Sequence, residues 1–128
     1  MPSLDHVNLC VPPAIGDEEG AAAESMWLCD VLGYRRVEPG PEANQFGVLH
    51  WFAADDGTQV HLTVDPGHRP SARAHTAVRI GDALDATVLR LEAAGRGCTT
   101  LEFDGDRHVF TDDPAGNLWE LIGPPAST

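Results

Sequence analysis

An α+β fold follows from three features of this 128-residue sequence. Most of the chain alternates apolar and polar residues, the period of a half-buried strand. Two stretches of helix formers, each closed by a glycine, interrupt the alternation. The order strand, helix, three strands occurs twice. The chain therefore reads as a single domain, 1–128, built of two βαβββ modules, about 1–66 and about 73–124.

In the first module, Leu4 to Val11 places Val7, Leu9 and Val11 on one face and His6, Asn8 and Cys10 on the other. Pro12-Pro13 ends that strand. Asp17 to Leu32 predicts a helix, with Asp17, Glu18 and Glu19 at its positive N-terminal end and Gly33 as its C-cap. A short strand, Tyr34 to Val37, precedes the Pro39-Gly40-Pro41 loop, a candidate lid. Val48 to Ala54 and Thr58 to Val64 form a hairpin about Asp55-Asp56-Gly57. In the returning strand Val60, Leu62 and Val64 oppose Gln59, His61 and Thr63.

Asp65 to Ala72 is polar and contains proline and glycine, as a linker does. The pattern then restarts. Ala74 to Ile80 sets Thr76, Val78 and Ile80 against His75, Ala77 and Arg79. Asp82 to Ala94 is a helix with Leu84, Val88, Leu91 and Ala94 along one stripe, capped by Gly95. Cys98 to Phe103 is a weak strand. Val109 to Ile122 is strand, turn, strand: Asp113-Pro114 opens the turn, and Gly116 or Asn117 supplies any positive φ. Beyond it Leu118, Glu120 and Ile122 share one face and Trp119 and Leu121 the other. A carboxylate in the middle of an apolar strand is costly to bury unless it is paired or bound to a metal.

A net charge of −12 argues against nucleic acid and anionic membranes as partners, since both require basic surface. No run approaches the roughly 20 apolar residues of a membrane span. The N-terminus has no secretory pattern, so a cytoplasmic location is expected. Cys10, Cys29 and Cys98 are odd in number and widely spaced, which speaks against a disulfide framework or a structural zinc site.

The two halves match at marked positions. His6 and His75, each early in a first strand, are 69 residues apart. Gly33 and Gly95 end the helices, 62 apart. Gly57 and Gly116 make the last hairpins, 59 apart, and His61 and Glu120 each lie four residues beyond, again 59 apart. The apolar face of each module must pack under its own helix, which leaves His6 and His61, then His75 and Glu120, on the opposite faces. Three imidazoles and a carboxylate suit a divalent ion such as Zn, Fe, Mn, Co or Ni. His6, His61, His75 and Glu120 are thus the candidate metal ligands, and Glu120 and His61 the candidate catalytic residues. His50, His68 and His108 have no such pairing and read as surface residues or as supports behind the ligands. Gln59, Thr63, His50 and Arg79 are candidates for the lining.

The motifs Leu4-Asp5-His6-Val7-Asn8-Leu9, Val31-Leu32-Gly33-Tyr34, Gln59-Val60-His61-Leu62, Ala74-His75-Thr76-Ala77-Val78, Leu91-Glu92-Ala93-Ala94-Gly95 and Asp112 to Leu121 resemble the vicinal oxygen chelate superfamily. It includes glyoxalase I, fosfomycin-resistance thiol transferases, methylmalonyl-CoA epimerase, extradiol dioxygenases and bleomycin-resistance proteins. The resemblance covers nearly the whole chain. It implies paired βαβββ modules forming a cupped mixed sheet around a metal, with helices on the outer face. It also implies a homodimer, often with a site built from modules of two chains. By position, His6, His75 and Glu120 match three metal ligands. Where His61 stands, glyoxalase I has glutamate and the epimerase glutamine, which weakens the case for glyoxalase I proper. Met26-Trp27-Leu28 departs from the Phe-Tyr of many members.

The function expected is a metal-dependent enzyme of the glyoxalase or dioxygenase type, acting on a small oxygen-bearing substrate held by a divalent metal as Lewis acid. Isomerisation, addition of thiol or water to an epoxide, and ring cleavage of a catechol all fit. The alternative is a non-catalytic antibiotic- or metabolite-binding protein of the bleomycin-resistance kind, for which the acidic charge would suit a cationic ligand.

Overall fold

The computed structural model describes residues 1–13, 23–43 and 49–126 and divides the chain into two compact units, Met1–Arg69 and Pro70–Thr128. Unit 1 contains β1 (His6–Val11), helix α1 (Met26–Val31), β2 (Arg35–Val37), β3 (Leu49–Ala53) and β4 (Gln59–Val64). Its sheet has the order β1-β4-β3-β2. β1 lies parallel to β4 and the other neighbours are antiparallel. The parallel register sets His6 opposite Gln59 and Asn8 opposite His61, so the polar faces of the two strands form one surface. On the other face Val11, Phe52, Val60 and Leu62 are buried, and so are Trp27 and Leu28 of α1.

The start of the first helix, with Asp17, Glu18 and Glu19, lies outside the described residues, as does Val48. Residues 23–25 are α-helical, and Met26–Val31 widens into a π-helix. Leu32 N–H reaches back five residues to Trp27 O at 3.3 Å, and Tyr34 N–H bonds Leu28 O at 3.0 Å. Gly33, at φ 87°, turns the chain out of the helix, as expected of a C-cap. The β3–β4 hairpin turns at Gly57, φ 89°, and Asp56 Oδ1 accepts the backbone N–H and the hydroxyl of Thr58.

Unit 2 repeats the plan with β5 (His75–Arg79), a 3₁₀ turn (Gly81–Ala83) leading into α2 (Leu84–Ala93), β6 (Thr99–Phe103), β7 (Asp106–Asp112) and β8 (Leu118–Gly123). The sheet order is β5-β8-β7-β6, with β5 parallel to β8. The register repeats too: Trp51 lies opposite His61 and Phe110 opposite Glu120. α2 buries Leu84, Thr87 and Leu91. The expected stripe is correct at Leu84 and Leu91, but Thr87 occupies the turn between them, while Val88 is half-buried and Ala94, past the last helical residue, is exposed. The Thr87 hydroxyl accepts from Arg90 at 3.1 Å, which satisfies its polar atom at the buried face. Helix and sheet meet closely at Gly123, where a Cβ would lie 2.6 Å from Gly81 O and 2.8 Å from Leu84 Cβ. β6 and β7 join through Asp104 and Gly105 at φ 54° and 79°, the two positive values of a tight primed hairpin turn.

The β7–β8 turn is built on Asp113, only 1% exposed. Its Oδ1 accepts the N–H groups of Ala115 (2.9 Å) and Asn117 (3.0 Å), and its Oδ2 accepts the indole N–H of Trp119 at 3.0 Å. Gly116 carries the positive φ, 85°. Proline is therefore the lesser part of this turn, and a buried carboxylate with three donors is the greater. Such a group destabilises strongly when a donor is removed, because its desolvation is no longer offset. Trp119→Phe keeps the ring in the core but deletes the donor, and is expected to lower unfolding free energy by about 1–3 kcal/mol. Urea denaturation of both proteins checks this; an unchanged midpoint and slope would contradict it.

Candidate metal centre

Each unit brings two of the four candidate ligands together. In unit 1, β1 and β4 place the His6 and His61 rings face to face, with centroids 4.1 Å apart and planes at 18°. Trp51 of β3 stacks on the other face of His61 at 4.0 Å and 3°. His61 is thus sandwiched, its ring plane is fixed, and only its edges meet other groups. His61 Nε2–H donates to Gln59 Oε1 at 2.7 Å, which leaves Nδ1 as the acceptor nitrogen. His6 Nδ1 bonds the Asp5 carboxylate at 2.7 Å, which leaves Nε2 facing away from that anchor. A pocket of about 420 Å³ opens here, lined among others by His6, Asn8, Trp51, Gln59, His61 and Thr63. Thr63 Oγ1 donates to Asn8 Oδ1 at 2.9 Å. Gln59 and Thr63 thus line the pocket, as anticipated.

In unit 2, His75 and Glu120 are diagonal neighbours across the parallel β5–β8 pairing, since Ala77 lies opposite Glu120. His75 Nδ1 donates to the Arg73 carbonyl at 2.8 Å, and its Nε2 lies 3.2 Å from Glu120 Oε1. A carbonyl can only accept, so the proton of that bond is on Nδ1. The facing pair, a ring nitrogen and a carboxylate oxygen, are then two acceptors that need a cation between them, either a second proton or a metal. The other oxygen, Glu120 Oε2, is held by His108 Nδ1 at 2.9 Å. The Glu120 side chain is 12% exposed and lies between the imidazoles of His75 and His108. That answers what this carboxylate faces in its apolar strand.

The remaining lining candidates divide. His50 is buried on the opposite face of β3 from Trp51, where Arg36 donates to its Nδ1 at 2.6 Å, so it does not line the pocket. One step of strand alternation removes it. Arg79 shares the His75 face and pairs with Asp106 at 3.4 Å. His68 lies in the segment after β4, off the sheet. Trp51 and His108 are the site residues that repeat-matching passed over. Both are visible in the strand alternation: Trp51 faces His61, and His108 lies two residues before Phe110, which faces Glu120.

Among the described residues no group of three or more His, Cys, Asp or Glu is arranged to hold a metal ion. The donor chemistry nevertheless fits one. His6 and His75 each have Nδ1 engaged by an oxygen acceptor, with Nε2 left for coordination. Metal-binding histidines are oriented in this way.

No protein-family model matches the sequence, and no curated protein matches it. Solved structures do. A glyoxalase family protein from Bacillus anthracis superposes with TM-score 0.79 at 22% identity, covering 98% of this chain and 97% of that one. A glyoxalase/dioxygenase from Nostoc punctiforme gives 0.76 at 20%, covering 97% and 92%. The chain has the fold of these glyoxalase-type structures. This fold is shared by a mutant of the fosfomycin resistance protein FosX from Listeria monocytogenes, complexed with Mn(II) and 1S,2S-dihydroxypropylphosphonic acid. That structure has TM-score 0.69 at 18% identity, covering 94% and 91%. Among the described residues no helix is long and apolar enough to cross a membrane.

Burial pushes the His61 imidazole below its ordinary value of 6.5, the neighbouring His6 pushes the same way, and Asp5 opposes. Because the folded value is the lower one, the unfolded chain binds the proton more readily. The associated stability is present above about 6.5 and is lost as pH falls through the depressed folded value. An NMR titration of the His61 ring is expected to show a midpoint below 6.5, rising part-way in His6→Gln. A wild-type midpoint at or above 6.5 would contradict the assignment.

Proposed function

We propose that this protein is a metal-dependent enzyme acting on a small substrate with two adjacent oxygens, and that His6, His61, His75 and Glu120 supply the ligands of its divalent ion. The observation that carries this reading is the facing of His75 Nε2 and Glu120 Oε1 at 3.2 Å, with the His75 Nδ1 proton already committed to the Arg73 carbonyl. Two acceptors aimed at one point are a ready pair of metal donors. His6, tethered through Nδ1 to Asp5, and His61, clamped by Trp51, supply the second pair. The reading does not depend on whether both pairs belong to one chain or to two.

When bound, a divalent ion supplies Lewis-acid stabilisation of negative charge on substrate oxygens. The chain supplies orientation. Asn8, Gln59 and Thr63 offer hydrogen bonds along the wall of the unit 1 pocket, and Trp51 gives it an apolar side. The FosX complex supports the substrate class, since its dihydroxypropylphosphonic acid is a vicinal diol found together with Mn(II). The sequestering alternative rests on the acidic charge and on the resemblance to bleomycin-resistance proteins, whereas the donor pairing is a property of the site itself. Neutral imidazole at His61, where glyoxalase I has a carboxylate, favours reactions other than the glyoxalase I isomerisation.

Elemental analysis tests the ligand set. Wild-type protein, prepared without an affinity-tag metal, is expected to retain a divalent ion, and Glu120→Ala to lose most of it. Undiminished metal in Glu120→Ala would sink the proposal.

A further inference from the structure

We propose that His108 is a positioning residue for Glu120, holding one carboxylate oxygen so that the other is presented, with His75 Nε2, as a fixed pair of metal donors. The inference rests on the metal reading above and extends it to a residue outside the ligand set. His108 lies opposite Ile122, and Phe110 opposite Glu120, so His108 and Glu120 are diagonal neighbours on one face of the sheet. Their Nδ1 to Oε2 distance is 2.9 Å. The His108 ring is 6% exposed and stacks on Phe103 of the edge strand at 3.7 Å and 11°. Its Nε2 is buried without a hydrogen-bond partner among the described residues. The bond to Glu120 is thus the polar contact that orients the ring, while the stack fixes its plane.

The consequence for the carboxylate is geometric. A glutamate side chain ends in a freely turning group that can offer a cation one oxygen, two, or none. With Oε2 taken by His108, only Oε1 is offered, and Oε1 is the oxygen that faces His75 Nε2. Carboxylate ligands held in this way by a neighbour bind metal more tightly than free ones. The matching position in unit 1, aligned by register, is Leu49. Unit 1 has no glutamate to hold at the place of Glu120, where it carries His61. The histidine occurs only in the module whose ligand needs it.

The test is calorimetric titration of metal-free protein with MnCl₂. His108→Phe keeps an aromatic ring against Phe103 without the donor. His108→Leu installs the residue of the other module and serves if the phenylalanine variant does not fold. Each is expected to weaken Mn(II) binding about ten- to a hundredfold. His108→Asn, whose side-chain N–H sits near the Nδ1 position, is expected to recover most of the loss. This rescue separates a donor to Glu120 from a residue that only fills the core. Wild-type affinity in folded His108→Phe or His108→Leu, or equal weakening in all three variants, overturns the positioning role alone. A wild-type protein that takes up no Mn(II) overturns the metal reading and this role with it.

Discussion

Each unit depends on a pairing between strands far apart in its sequence, laid side by side and parallel. β1 with β4, and β5 with β8, form the parallel pair of each sheet, and every candidate ligand is on one of these four strands. A parallel pair aligns side chains of like facing in register, so two residues from opposite ends of a module become diagonal neighbours on one surface. His6 meets His61 in this way, and His75 meets Glu120. A slip of one residue would turn β8 over, sending Glu120 into the core and Trp119 to the polar face. The buried Asp113 guards against that slip. It ties the turn to the indole of Trp119, and so determines which side of β8 faces inward.

The same scaffold carries different chemistry in its two halves. In unit 1 the ring of His61 lies between Trp51 and His6, held chiefly by stacked surfaces. In unit 2 the carboxylate of Glu120 lies between His75 and His108, with one oxygen held by the His108 hydrogen bond. An imidazole presents a flat face that aromatic neighbours can grip. A carboxylate presents oxygens that need donors. The residues around each candidate ligand follow from this: Trp51 beside the histidine, His108 beside the glutamate. Where the candidate ligands differ in type, the supports differ.

Much of this was legible in the residues. Gly33, Gly57 and Gly116 adopt the positive φ that their places after helices and within hairpins required, because such positions restrict the choice of residue locally. Alternation put His6, His61, His75 and Glu120 on polar faces, because period two is a backbone property. What lay beyond reach depended on packing between segments distant in sequence. The buried role of Asp113 required knowing that Trp119 folds back over the turn. The inward position of Thr87 required knowing where α2 ends and how closely Gly123 approaches Leu84. His108 has no histidine partner in the first module, and comparing halves is blind to a residue present in only one. Strand register, which pairs it with the Glu120 face, does reveal it.

The central claim is the proposal that His6, His61, His75 and Glu120 hold a single ion, whether the two pairs belong to one chain or to two. Anomalous diffraction at the zinc edge from zinc-loaded crystals tests it most directly. The account predicts one strong peak with nitrogens of His6, His61 and His75 and an oxygen of Glu120 at about 2.0–2.2 Å. A peak held by other residues, or its absence from these four in protein that has taken up zinc, would contradict it.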